Sequence, residues 1–285
     1  MERGAETMKK KESQYQMSRI NTKVMNYNVY VMNKSEKLGY MSLLMIAGGA
    51  VGLVFYGGLF KSEGTATMMT TISNLVVFIL GGILANHFFM PNVVRSLKVK
   101  RINQLKKQFC DFATALTNAL ASGMNMGDSL MASYEDLRTQ YSEDAFIVQE
   151  VKEILSGVQN NVPVELMLED FGVRSGTDDI VNFGTVFSLC YRTGGDIKSI
   201  VRRTTEIISE KVMISSEIET VITSNKLQMN IMNVLPIIII VLMKAMSADF
   251  ANGFTSGVGL VGITICAALT LGAYRLGQKI TDIKG

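Results

Sequence analysis

The sequence predicts an all-α, polytopic membrane protein with four transmembrane helices and a cytoplasmic six-helix bundle. Hydrophobic residues make up 48% of the 285 positions, and charged residues only 19%. The apolar residues are concentrated in four stretches without acidic or basic cores. Between the second and third stretches lies a long polar segment that contains one proline, Pro163, and no convincing alternation typical of strands.

The four apolar stretches predict membrane spans at 38–60, 68–91, 227–246 and 253–275. A helix of roughly 20 apolar residues crosses a bilayer, and only a helix satisfies its own backbone in lipid. Pro91 is expected to end the second helix. The polar residues 1–37 precede the first span, which excludes a signal peptide.

Basic residues predict the orientation of the chain. They cluster before the first span, after the second and after the fourth, whereas each short hairpin loop holds a single lysine. The positive-inside rule therefore places 1–37, 92–226 and 276–285 in the cytoplasm, so that both termini of this cell-membrane protein are cytoplasmic.

Composition excludes several functional classes. A net charge of +3 gives no reason to expect nucleic acid, and His87, the single histidine, excludes metal and catalytic sites that need two. The cysteines Cys110, Cys190 and Cys266 form no CxxC pair, and no GxxxxGK[ST] phosphate loop is present. We therefore expect no catalytic residues, cofactor or metal. The absence of ionisable residues at mid-span also disfavours an ion-coupled transporter.

Small residues and a proline mark the spans. Gly48 and Gly52 form a GxxxG face, which suits either packing within this chain or association with another membrane protein. Pro236 is expected to kink the third span.

The N-terminal segment carries a two-heptad apolar pattern at Met17, Ile20, Val24, Tyr27 and Val31. This amphipathic segment is expected to pack on the cytoplasmic body, with a partner helix or the membrane surface as alternatives.

Helical periodicity in the body predicts helices at 97–121, 127–140, 143–157, 163–171, 177–192 and 196–224, the last continuing into the third span. Glycine, proline and capping side chains mark three tight turns between antiparallel helices. Their residues are Gly123 with Asp128, then Pro163, then Gly194 and Gly195 with Asp196.

Acidic residues dominate 111–180. These residues have two interpretations: solvated helix faces, with the basic flank attracted to anionic membrane lipid, or an acidic face that docks a basic cytoplasmic partner. The residues we assign to that face are Glu143, Asp144, Glu150 and Glu153.

The order of these features resembles a known family. LxxALxSGxxxxDSL at Leu116–Leu130 and RTGGDI at Arg192–Ile197, bracketed by paired spans, are similar to the type II secretion system F domain. The single body resembles the Tad (tight adherence, Flp pilus) assembly platform proteins TadB and TadC, and the tail from Lys226 onward is closer to TadB. Many relatives have an acidic residue where Tyr191 stands, so a role for that acid does not carry over.

The resemblance implies a non-enzymatic platform in the inner, cytoplasmic membrane. Its implied partners are a hexameric secretion ATPase on the acidic face, a paralogous TadB/TadC-type subunit or a second copy, and pilin subunits. The family's glycine turns correspond to Gly123, Gly194 and Gly195. The alternative is a membrane-anchored signalling or sensor protein that uses the helical body to bind a partner.

Overall fold

A computed structural model describes residues 14–58, 68–247, 253 and 256–281. Within these residues the chain forms one small hairpin and eight helices, so the predicted all-α membrane class is confirmed. The strands are β1 (Tyr15–Met17) and β2 (Lys23–Met25). The helices are α1 (Lys34–Tyr56), α2 (Met68–Ala121), α3 (Met126–Gln140), α4 (Phe146–Gln159), α5 (Val164–Ser175), α6 (Asp178–Thr193), α7 (Ile197–Met246) and α8 (Gly257–Thr281).

The chain divides into two compact units. The body unit contains the described part of Met1–Val31 together with Val94–Ser215, and the apolar unit contains that of Met32–Val93 together with Ser216–Gly285. Helices α2 and α7 contribute residues to both units. Helices α1, α2, α7 and α8 are long and apolar enough to cross a membrane, as the four predicted spans require.

The body unit is built around a cluster of phenylalanines. The ring of Phe109 on α2 meets Phe183 on α6 edge-on at 5.1 Å, and Phe171 on α5 at 6.0 Å. All three are at most 2% exposed. Because the three rings come from three helices, this cluster fixes how α2, α5 and α6 pack against one another.

The apolar unit brings α1 and α2 together at glycines. A Cβ added to Gly48 would lie 2.4 Å from the Cβ of Ala85 and 2.7 Å from the carbonyl oxygen of Gly81. At Gly52 it would lie 3.2 Å from the carbonyl oxygen of Val77. The two helices therefore approach closely where α1 lacks side chains.

The prediction that Pro91 ends a helix is wrong, because α2 continues through Pro91 to Ala121. Proline removes one backbone hydrogen bond, and the helix-forming residues on both sides maintain the ladder. Helix α7 likewise contains Pro236 and runs without a break from Ile197 to Met246, as the expected continuation into the third span requires. A kink at Pro236 stays a prediction.

The heptad pattern near the N-terminus does not form a helix. Strands β1 and β2 pair antiparallel, with Tyr15 opposite Met25. The intervening turn has Asn21 at φ 58° and a 2.9 Å hydrogen bond from the Ser18 amide to the Thr22 carbonyl. Short polar side chains of this kind compete with helical hydrogen bonding. The segment does contact the body, where Tyr27 is 1% exposed, but Met17 of the predicted seam is 66% exposed.

Five parts of the chain lie outside the described residues: 1–13, 59–67, 248–252, 254–255 and 282–285. The predictions made there concern the first basic cluster, the end of the first span, the two hairpin loops, the start of the fourth span and the last residues of the tail.

Candidate functional site

The first predicted turn joins α2 to α3. Gly123 has φ +87°, which a residue with a Cβ adopts only with strain. Asn125 caps α3: its side-chain oxygen accepts from the Asp128 amide at 2.9 Å, and its side-chain nitrogen donates to the Asp128 carboxylate at 2.7 Å. The residues from Ala121 to Asn125 are all exposed. This turn is thus rigid and faces solvent.

The second turn joins α6 to α7. Gly194 has φ +68°, and the Gly195 amide donates to the Cys190 carbonyl at 3.0 Å. Asp196 accepts from the Ser199 amide at 3.2 Å and caps the start of α7. Just before the turn, the Tyr191 ring stacks on Phe187 at 5.7 Å and is 40% exposed. An exposed aromatic surface therefore precedes this turn.

The two turns lie together at one end of the body unit. The ammonium of Lys198, the second residue of α7, donates to the carbonyl of Ala121, the last residue of α2, at 3.0 Å. We call this surface the turn pair: Gly123, Asn125 and Asp128 with Gly194, Gly195, Asp196 and Lys198. The sequence motifs that carry the family resemblance thus form one exposed surface.

Beside the turn pair, α2 and the first half of α7 are antiparallel and meet through small polar side chains. The Thr117 and Thr205 hydroxyls are 3.2 Å apart, and the Cys110 thiol lies 3.0 Å from the Ser209 hydroxyl. These contacts tie the two helices that also enter the apolar unit. Small side chains permit close approach of the helix backbones.

The remaining predicted turn, at Pro163, is separate from the turn pair. It lies between α4 and α5, where Asn161 has φ +60° and the Val162 amide donates to the Gly157 carbonyl at 2.9 Å. Pro163 caps α5 without a side-chain hydrogen bond. None of the described hydrogen bonds joins this turn to the turn pair.

The predicted acidic face is not one surface. Glu143 is exposed and pairs with Arg138 at 2.6 Å, and Asp144 is exposed beside it. Glu150, in contrast, is 3% exposed, because its carboxylate is buried against Arg174. Glu153 is partly covered and accepts from the Ser18 hydroxyl at 2.6 Å. The assignment of Glu150 to an exposed face is therefore wrong, and Glu153 is largely engaged within the chain.

A cavity of about 310 Å³ opens next to Glu143. Its lining includes Lys107, Tyr141 and Asp144. The Tyr141 phenol donates to the Asp111 carboxylate. Burial, together with this bond and the Asp111 charge, raises the pKa of Tyr141 to about 12. The phenol is therefore a neutral donor throughout the physiological range.

The polar groups of the turn pair are used in caps and turns, and they place no nucleophile beside a base. Among the described residues, no group of three His, Cys, Asp or Glu side chains could hold a metal ion. What the turn pair offers is a rigid, exposed surface of mixed charge.

Sequence reasoning missed two residues that organise the body. Lys198 belongs to no recognisable motif, although a lysine one turn after a capped glycine turn can reach a neighbouring helix end. Arg174 is one of only three cations against thirteen acids in 111–180, and no local motif marks it. Its isolation in an acidic segment was the available signal that it pairs in the interior.

These features define a multi-pass membrane protein with a helical body joined to its spans by continuous helices. Residues 112–244, just under half of the chain, match the family model described as type II secretion system (T2SS), protein F. This match supports the type II secretion system F family, and the matched segment includes both turns and nearly all of α7. No curated protein matches the chain, and no solved structure does.

Proposed function

We propose that this chain is a non-enzymatic platform of the inner, cytoplasmic membrane in a type IV (Tad/Flp-like) pilus or type II secretion machine. In this role it couples a hexameric secretion ATPase in the cytoplasm to the extraction of pilin subunits and assembly of the fibre. A paralogous TadB/TadC-type subunit or a second copy completes the platform. In this proposal both termini and the body unit lie in the cytoplasm, which the distribution of basic residues supports.

The observation that carries this proposal is the continuity of α7. The helix begins at the turn pair, packs against α2 within the body, and continues as an apolar span to Met246. A displacement at the turn pair can therefore pass along one rigid element as a rigid-body tilt. The exposed acids Glu143 and Asp144 supply a docking surface for a basic partner.

Changing the stiffness of α7 tests the coupling. Thr223, Ser224 and Asn225 are exposed, so replacing them with Gly-Ser-Gly alters the helix without removing packed side chains. We expect fibre assembly to be lost while binding of the secretion ATPase, measured by co-purification, is kept. Replacement by three alanines is the matched control, because alanine preserves the helix, and it should leave assembly intact.

Retained assembly in the Gly-Ser-Gly variant would contradict the coupling role of α7. Loss of assembly in both variants would point to a requirement for the side chains themselves.

Charge reversal of Glu143 and Asp144 to lysine tests the docking surface separately. It should weaken ATPase binding most at low salt, since screening removes the contribution of exposed charges.

A further inference from the structure

The N-terminal segment is anchored on the body through its backbone. We call residues 14–31 the strap. The Tyr27 amide donates to the Arg174 carbonyl at 2.9 Å, and the Arg174 guanidinium returns a bond to the Met25 carbonyl at 3.1 Å. The Asn28 side chain donates to the Val173 carbonyl at 3.0 Å. The strap thus supplies donors to carbonyls in the last turn of α5, which lack partners within the helix.

Tyr27 fills a socket on α4. Its side chain is 1% exposed, and the phenol donates to the buried Glu150 carboxylate at 3.0 Å. The edge of the ring meets Phe146 with centroids 5.6 Å apart. Burial and the Glu150 charge raise the pKa of Tyr27 well above its usual value, so the phenol stays a donor. The socket therefore selects an aromatic ring with a hydroxyl group.

Arg174 holds the socket together from α5. Its guanidinium donates to both carboxylate oxygens of Glu150, at 2.8 and 2.7 Å, and to Asp170 at 2.8 Å. Burial lowers the pKa of Arg174, but the bonds and charges of Glu150 and Asp170 outweigh burial and raise it. Met25 and Tyr27 of the strap complete this cluster, so the buried charges depend on the strap for two of their hydrogen bonds.

Contacts at both ends of the strap extend the anchor. The Ser18 and Thr22 hydroxyls in the hairpin turn both donate to Glu153 on α4. Near the other end, the Arg101 guanidinium of α2 lies 4.5 Å from the centre of the Tyr30 ring. The strap thus contacts α2, α4 and α5, which fixes its position along its whole length.

The strap ends next to a membrane-spanning helix. Only Met32 and Asn33 separate Val31 from the first residue of α1, Lys34. Asn33 and Glu36 form a capping box that begins α1 immediately. A connection this short has little slack.

We propose that the strap is a clamp: its occupancy of the Glu150–Arg174 socket ties the first membrane-spanning helix to α4 and α5. The body is then joined to the apolar unit by a connection that passes through neither α2 nor α7. A motion of α4 and α5 reaches α1 directly. This inference goes beyond the proposed function and does not depend on the identity of any partner. It also explains why Glu150 and Glu153 do not belong to the exposed acidic face: their carboxylates accept hydrogen bonds from the strap.

The test uses the full-length protein in lipid nanodiscs. Tyr27→Phe keeps the ring in the socket and removes only the hydroxyl, so the fold is retained. Exchange of the residue-27 amide, which donates to Arg174, should become about tenfold faster or more, because a buried hydrogen bond to a charged acceptor is lost. Tyr15→Phe in the same strap is the matched control and should change exchange by less than about twofold.

Mobility of the first span is the second readout. A spin label is placed at Lys37→Cys, an exposed position in α1, with Cys110, Cys190 and Cys266 replaced by serine. Tyr27→Phe, which keeps the ring in the socket, should leave the motion of this label nearly unchanged. Inserting a flexible Gly-Ser linker of about twelve residues between Val31 and Met32 should increase its motion while the residue-27 amide stays protected.

The outcomes separate clearly. Increased label motion after linker insertion, with the strap still docked, supports the clamp. Unchanged label motion in the linker variant overturns it, whatever Tyr27→Phe does. Amide exchange in Tyr27→Phe no faster than in Tyr15→Phe would also overturn it, because the socket would then not hold the strap.

Discussion

The Lys198 ammonium donates a 3.0 Å hydrogen bond to the backbone carbonyl of Ala121, so that the start of α7 caps the end of α2. The last carbonyls of a helix lack partners within the helix, and a cation near them is favourable to the helix dipole. This contact brings Gly123 and Gly194 into one exposed surface although they are distant in sequence. The turn pair therefore depends on a side chain outside both glycine turns.

Lys198→Met tests this contact. Because the side chain is exposed, we expect the free energy of unfolding to fall by about 0.3–1 kcal/mol. Lys198→Arg should restore most of the loss, and Lys152→Met, at an exposed position on α4, should not reproduce it. Thermal unfolding followed by circular dichroism measures these differences. An unchanged midpoint in Lys198→Met would show that the bond contributes nothing.

The backbone at Gly194 gives a sharper local prediction. Gly194 has φ +68°, whereas Gly195 has no positive φ, and no atom lies within 4 Å of a Cβ added to Gly194. Gly194→Ala should therefore cost about 1–2 kcal/mol through backbone strain alone. Gly195→Ala is the matched control and should cost clearly less. Equal losses in unfolding measurements would contradict a conformational cause.

The buried ion pair predicts a much larger effect. Arg174 and Glu150 are at most 4% exposed, so Arg174→Met leaves an unpaired buried carboxylate. We expect a loss of about 3–5 kcal/mol in the free energy of unfolding. The exposed pair of Arg202 and Glu206 offers the control, since Arg202→Met should cost less than about 1 kcal/mol. Denaturant unfolding in detergent compares the two, and similar losses would contradict the structure.

Local patterns predicted much of this fold. Helical periodicity identified the helices of the body, and the caps at Asn125 and Gly194 lie where Gly, Asn and Asp mark helix ends. These signals succeed because a cap uses backbone groups within a few residues. The local rule that proline ends a helix gave the wrong prediction at Pro91. One missing hydrogen bond does not outweigh the helical residues on both sides of it.

Packing of the N-terminal segment on the body was predicted, but the contacts of the strap could not be, because its partners are distant in sequence. Tyr27 and Glu150 are 123 positions apart, and no local pattern of either residue indicates the contact. The apolar spacing in 17–31 fits a heptad pattern. The structure nevertheless forms a hairpin there, with a turn at Asn21 and a buried Tyr27 after the second strand. The number of acidic residues in 111–180 predicted that Glu150 is exposed. Its burial against Arg174 depends on the tertiary structure, which that number does not reveal.

Close packing in the apolar unit predicts the effect of a single methyl group. A Cβ at Gly48 would lie 2.4 Å from the Ala85 Cβ, a separation that requires the helices to shift. Gly48→Ala should lower the stability of the detergent-solubilised protein by about 1–3 kcal/mol through overpacking. Gly39→Ala in the same helix meets nothing within 4 Å and serves as control. An unaffected Gly48→Ala variant would contradict the close approach of α1 and α2.

Alkaline pH tests the contact between Tyr141 and Asp111. The pKa of Tyr141 is raised from 10.0 to about 12, so the folded protein favours the neutral phenol more than the unfolded chain does. The resulting stabilisation is fully present below pH 10 and is lost as the pH rises from about 10 to 12.

Tyr141→Phe removes this titration, so its stability should fall less steeply over that interval than that of the wild type. Asp111→Asn keeps an acceptor but removes the charge that raises the pKa of Tyr141, and it should reduce the slope only in part. Unfolding midpoints measured from pH 9 to 12 give the comparison. If wild type and Tyr141→Phe decline in parallel, burial and Asp111 do not raise the pKa of the Tyr141 phenol in the folded state.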